Sequence, residues 1–190
     1  MTELSMSSIA VLDIVKDTTV DGPGFRTAIY AAGCPHHCPG CHNPQSWDIR
    51  NGTLHTVDSL LEKIREQEFA DVTFTGGDPL FQADAFTALA RRIRSETGKS
   101  VWCYTGYRYE RILKSPRLAQ ILPYIDVLAD GPYYENLRDE TLLFTGSSNQ
   151  RLIDVPASRK TKCITLWTPL FQTENNLLPK NKSLINKVNK

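Results

Sequence analysis

The chain has 190 residues and nearly balanced charge, 22 Lys and Arg against 21 Asp and Glu for a formal net charge of +1. That length fits one domain with a real core, and the balance gives no warrant for a nucleic acid or a membrane as partner. No run of about 18 apolar residues, no repeat and no lipidation signal occurs, and Met1 to Met6 is not a charged stretch followed by an apolar one, so a cytoplasmic location is expected with the five cysteines as thiols.

Ser8 to Val15 and Phe25 to Ala32 read as strands joined by the turn Asp21-Gly-Pro-Gly24. Thr56 reads as the N-cap of a helix whose Val57, Leu60, Leu61 and Ile64 fall at i, i+3, i+4 and i+7. Asp71 to Thr75 is the next strand, stopped by Gly76-Gly77. A second helix from about Asp84 places Phe86, Leu89, Ala90 and Ile93 on one face and ends near Gly98. Ser100 to Tyr104 is a strand, Ser115-Pro116 caps a short helix with Leu118, Ile121 and Leu122, and Ile125 to Ala129 is a strand. Arg151 to Val155 and Lys162 to Trp167 complete the set of strands.

Such alternation with short connections predicts an α/β fold with a parallel sheet, whose chemistry gathers at the carboxyl ends of the strands. Residues 1–167 read as a single domain and 168–190 as an Asn- and Lys-rich tail, whose Lys180, Lys182, Lys187 and Lys190 are explained by ordinary solubility.

Three cysteines follow the second strand in one run, Cys34-Pro-His-His-Cys38-Pro-Gly-Cys41. Three thiolates on one loop can hold three corners of a 4Fe-4S cube, which normally takes four, so one iron is left without a protein ligand. An open position admits substrate or cofactor, as it does in catalytic zinc sites. A disulfide framework does not fit an odd triplet in a reducing compartment. A structural Cys3His zinc site with His36, His37 or His42 is the other reading, although zinc ligands usually come as two separated pairs.

Outside the triplet, Gly76-Gly77-Asp78-Pro79 is by itself only a strand-ending turn. Cys103 and Cys163 lie inside apparent strands and read as buried, inert thiols, while Arg91, Arg92 and Arg94 read as a solvated helix face.

Together the Cys34-x3-Cys38-x2-Cys41 loop and Gly76-Gly77-Asp78-Pro79 resemble the radical S-adenosylmethionine superfamily. Asp21-Gly-Pro-Gly-Phe-Arg26 ahead of the cysteines and His42-Asn-Pro-Gln-Ser-Trp-Asp48 behind them resemble the activating enzymes of glycyl-radical enzymes. Cys38-Pro-Gly-Cys41, Tyr104-Thr-Gly-Tyr107, Asp126-Val-Leu-Ala-Asp-Gly-Pro132 and Thr145-Gly-Ser-Ser-Asn-Gln-Arg151 are similar to the branch that acts on anaerobic ribonucleoside-triphosphate reductase, and the likeness runs from about residue 9 to residue 167.

The resemblance implies that Cys34, Cys38 and Cys41 hold a 4Fe-4S cluster whose free iron chelates S-adenosylmethionine. Gly76, Gly77 and Asp78 would receive the methionyl amino group, and bulk at Gly77 would block that approach while sparing the iron. A reductive cleavage would then make a 5′-deoxyadenosyl radical that takes hydrogen from one glycine of the partner reductase, with electrons from a flavodoxin- or ferredoxin-like donor. No side chain is expected to act as general acid or base, since the cofactor carries the chemistry.

Two departures stand out. Gly40 replaces the aromatic residue that often precedes the third cysteine, leaving the adenine contact to the backbone around Gly40 and to His42. Asp78 stands where Glu is common. Arg26, after the Gly-Pro-Gly turn, is read either as gripping the partner's backbone, as the family's signature implies, or as an exposed strand charge. The implied fold is an incomplete parallel (β/α) barrel, because a full barrel needs about 250 residues. The alternatives are an activase of another glycyl-radical enzyme, of formate-lyase type, or a non-catalytic zinc or iron–sulfur module. No further cysteines provide for the extra clusters of larger activases.

Overall fold

The computed structural model describes residues 8–169. Strands β1 (Ser8–Thr18), β2 (Arg26–Ala31), β3 (Thr53–Thr56), β4 (Asp71–Gly76), β5 (Val101–Thr105), β6 (Val127–Asp130) and β7 (Arg151–Asp154) form one sheet in the order β3-β1-β2-β4-β5-β6-β7. The middle, β2-β4-β5-β6, is parallel as expected. Both ends are antiparallel, β3 and β1 on one side and β7 on the other. The all-parallel expectation is therefore corrected to a mixed, open sheet, with β3 and β7 as separate edges. The physical reason lies in the connections: the turn at Asp21–Gly24 is short enough only for an antiparallel return, and the stretch from β6 to β7 carries no helix of more than one turn.

The helices are α1 (Val57–Arg65), α2 (Ala83–Glu96), α3 (Tyr109–Leu113), α4 (Pro116–Ala119) and α5 (Val155–Thr161). Thr56 caps α1 by accepting from the Ser59 N–H, and Val57, Leu60, Leu61 and Ile64 are all buried. Phe86, Leu89, Ala90 and Ile93 of α2 are buried as their spacing requires. They pack on Ile29, Val72, Phe74, Val101, Cys103 and Leu128, alternate residues of the central strands. The intervening residues Arg26, Thr73, Trp102 and Tyr104 point to the opposite face, where Arg26 bonds Thr73 and lies over the Trp102 ring.

The strand expected over Lys162 to Trp167 is not formed. Lys162 instead ends α5 in a left-handed conformation, and only Leu166 makes an isolated bridge, to Ile153. Cys163 is consequently exposed, against the expectation of a buried thiol. The residues of the expected tail beyond Pro169, with Lys180, Lys182, Lys187 and Lys190, lie outside the described residues. Among the described residues no helix is long and apolar enough to cross a membrane.

Candidate cofactor and metal site

The parallel register brings the carboxyl ends of four strands to one rim, with Ala31 beside Gly76 and Thr105 beside Asp130. The segments leaving those ends enclose a cavity of about 220 Å³. Cys34, Cys38 and Cys41 line it, together with Gly76 at the end of β4 and Gly77 beyond it, Gly106 after β5 and Tyr133 after β6. The cysteine loop is pinned by its backbone, Gly33 N–H to Ser46 O at 2.7 Å and Cys34 N–H to Trp47 O at 3.1 Å. Each nearby histidine packs against a ring: His36 on Tyr107, His37 on Trp47 and His42 on Tyr133. The segment His42–Asp48 thus folds back under the loop as a support.

Burial pushes the Cys34 thiol up to about 11 and raises that of Cys38 as well. Both are thiols at neutral pH without metal, so metal binding here releases protons. Among the described residues no three His, Cys, Asp or Glu side chains converge on a point that one ion could occupy. Three thiols lining one cavity from a single loop fit three corners of a 4Fe-4S cube.

The structure divides the remaining expected residues. Gly76, Gly77 and His42 line the cavity with the cysteines. Gly40 sits in the loop with φ +71, a conformation that strains any side chain, which accounts for the missing aromatic residue, and it is not among the residues lining the cavity. Asp78 does not line the cavity. Its carboxylate is fully buried and accepts from Leu80 N–H, Thr105 Oγ1, Gly106 N–H and the His36 ring. In this arrangement the carboxylate expected to meet a ligand's ammonium is engaged by the protein's own donors.

Gly77 also differs from expectation. A Cβ on it would lie 2.7 Å from Gly33 O and 3.0 Å from Ala31 O, so the chain's own backbone, next to Cys34, fills the space that glycine keeps. Arg26 is 1% exposed and spends its guanidinium on Thr73 Oγ1 and Val72 O, so it braces strands and does not reach a partner. Cys103 is buried as expected, its thiol raised well above the ordinary value by burial. Arg92 and Arg94 are paired, with Asp58 and Glu96 and with Asp126 respectively.

Sequence reasoning missed Tyr104, Tyr133 and Gln150 as cavity residues. The signal was available for Tyr133, which follows Asp130-Gly-Pro132 at a strand end. Tyr104 hid inside a strand; its hydroxyl donates to Phe144 O at 2.8 Å.

A family profile described as "4Fe-4S single cluster domain" matches residues 20–153. The anaerobic ribonucleoside-triphosphate reductase-activating protein of Enterobacteria phage T4 is 37% identical over 139 residues, 70% of this chain and 86% of its own. Proteins of the same name from Escherichia coli K12 and Haemophilus influenzae are 34% and 35% identical, each over 69% of this chain and 89% and 88% of their own. Among solved structures, QueE from Escherichia coli gives a partial likeness, TM-score 0.46 at 17% identity over 55% of this chain and 57% of that one. With the cysteine loop, the glycine turn and both later strand-end turns inside the matched span, the chain belongs to the family of anaerobic ribonucleoside-triphosphate reductase-activating proteins and carries a 4Fe-4S single-cluster domain.

Proposed function

We propose that this protein activates an anaerobic ribonucleoside-triphosphate reductase by generating a glycyl radical on it. Cys34, Cys38 and Cys41 hold a 4Fe-4S cluster and leave one iron open. That open position would take S-adenosylmethionine, with backbone carbonyls at Gly76 and Gly77 to receive its methionyl amino group and the backbone at Gly40 and the ring of His42 to border its adenine. When bound, the reduced cluster supplies the electron that cleaves the cofactor to methionine and a 5′-deoxyadenosyl radical. The protein's own part is to bind, orient and exclude water: the cavity walls are strand ends, and Tyr133 and the loop to Gln150 cover its side. No general acid or base is assigned. We read the mixed, open sheet as an incomplete barrel of this enzyme class, its open side admitting the partner's glycine loop. The protein works in the cytoplasm, with electrons from a flavodoxin- or ferredoxin-like donor.

The observation that carries this reading is that the three cysteines of one loop line the same cavity as the Gly76–Gly77 turn and the ends of β5 and β6. The reading is tested by anaerobic reconstitution. The protein should be brown with about four irons per chain, and with dithionite and S-adenosylmethionine should release methionine and 5′-deoxyadenosine. Cys34→Ala, Cys38→Ala and Cys41→Ala should each abolish both. A colourless protein holding one zinc would overturn it.

A further inference from the structure

His36, between two of the cysteines, has no role in the chemistry above, yet it is among the most constrained side chains at the site. Its Nε2 lies 2.6 Å from Asp78 Oδ2. Its ring packs edge-on against Tyr107, centroids 4.6 Å apart at 75°. The backbone beneath is bare: a Cβ on Gly106 would fall 2.3 Å from the His36 ring. Next to it, His37 takes a left-handed φ of 47, an uncommon conformation for a non-glycine residue, and packs on Trp47. The two histidines thus leave the loop in opposite directions, one to the β5 end and one to the segment behind the cysteines.

Asp78 explains what His36 holds. Its carboxylate accepts from Leu80 N–H at 2.9 Å, from Thr105 Oγ1 at 3.0 Å, from Gly106 N–H at 3.2 Å and from His36. A carboxylate offers about four lone-pair sites, so four donors leave none for an ammonium. Its own backbone N–H goes to Gly33 O at 2.9 Å, immediately before Cys34. One buried carboxylate therefore joins the cysteine loop, the Gly76–Gly77 turn and the end of β5.

We infer that His36 is a positioning residue that clamps Asp78, fixing the cysteine loop and the glycine turn relative to each other so that iron and S-adenosylmethionine are presented in one geometry. The inference rests on the cofactor assignment made above. It also accounts for Asp in place of the commoner Glu: the shorter side chain keeps the carboxylate inside the protein, under the His36 ring, and not in the cavity. The site then takes the amino group of its ligand on backbone carbonyls alone.

The test uses iron-loaded wild type, His36→Leu, which removes the donor, and His36→Gln, whose carboxamide N–H can still reach Asp78. Amide hydrogen exchange before any cofactor is added should speed up at residues 76–80 and 104–107 in His36→Leu and stay near wild type in His36→Gln. S-adenosylmethionine binding should weaken about tenfold or more in His36→Leu, as for other partners that orient ligands from behind, with iron content retained. The change that the cofactor causes in the electron paramagnetic resonance spectrum of the reduced cluster should be lost in His36→Leu and restored in His36→Gln. Adding Asp78→Asn to His36→Leu should weaken binding by less than the product of the two single losses, because the two side chains are coupled. Unchanged exchange and unchanged affinity in His36→Leu, or losses that multiply in the double variant, would overturn the clamp. Altered exchange in a protein whose wild type binds no S-adenosylmethionine would uphold the clamp and overturn the cofactor assignment instead.

Discussion

Gly77 and the five cysteines show how differently single side chains are constrained here. Adding one methyl at Gly77 pushes on the carbonyls of Gly33 and Ala31, so Gly77→Ala should lose about 1–3 kcal/mol of stability as an overpacked site. Since Gly33 precedes Cys34, iron should be lost together with cofactor binding. Urea unfolding and an iron assay check both, and a stable brown Gly77→Ala protein would contradict the packing argument. Cys103→Ala removes a small buried group and should cost about 1 kcal/mol with iron retained. Cys163→Ala, at an exposed turn, should change neither quantity. That the cysteine triplet would face one cavity was legible because the three lie close together on one loop. The burial of Asp78 and Arg26 was not, because a charged residue buried against donors contributed by distant strands leaves no local pattern.

The link between β6, β7 and α3 depends on Arg151. It donates to the fully buried Asp130, which also accepts from Tyr109 N–H at 2.7 Å, and to Glu110 at 3.0 Å. Replacing Arg151 with Met leaves the buried Asp130 carboxylate with the Tyr109 N–H and with Arg108 at 3.9 Å, so the cost should fall toward the lower end of the about 3–5 kcal/mol typical of breaking a buried pair. A shift of the urea midpoint measures it, and a midpoint equal to wild type would contradict the role given to this pair.

The same arginine holds the Glu110 carboxyl down to about 2. A carboxylate lowered in the folded state stabilises above its ordinary range, and that contribution is lost as pH falls through the folded value. The advantage of wild type over Glu110→Gln should therefore be full at pH 6, shrink below about 4.5 and vanish near 2. Because Glu110 is half exposed, the advantage should be small. An advantage that grows on acidification would contradict the assignment.

Helices α1 and α2 were legible from apolar spacing. Helix α3 was not, with only Tyr109 and Ile112 buried in five residues, and neither was β3, whose side chains are mostly exposed. Helix α5 carried an overlooked start signal, Asp154 capping the Ala157 N–H with Pro156 in the first turn.

The described residues form an open sheet with the cysteine loop and the Gly76–Gly77, Gly106 and Gly131–Tyr133 turns at one rim. That gathering was legible, because parallel strands finish where their following loops begin, and these segments follow β2, β4, β5 and β6. The antiparallel ends were not, since strand patterns record burial and not direction. On the proposed function, a loop of the reductase inserted at the open side would complete the cavity and exclude water before cleavage becomes efficient. Without partner, cofactor cleavage should be slow and unproductive.

The decisive measurement is electron paramagnetic resonance on the reduced, cofactor-loaded protein mixed with its anaerobic reductase, the reductase deuterated at the glycine α-carbons. The account predicts a stable radical on the reductase backbone whose α-hydrogen splitting collapses on deuteration, with deuterium recovered in 5′-deoxyadenosine. A reductase that gains no radical, with the hydrogen in 5′-deoxyadenosine coming from a small molecule, would contradict it.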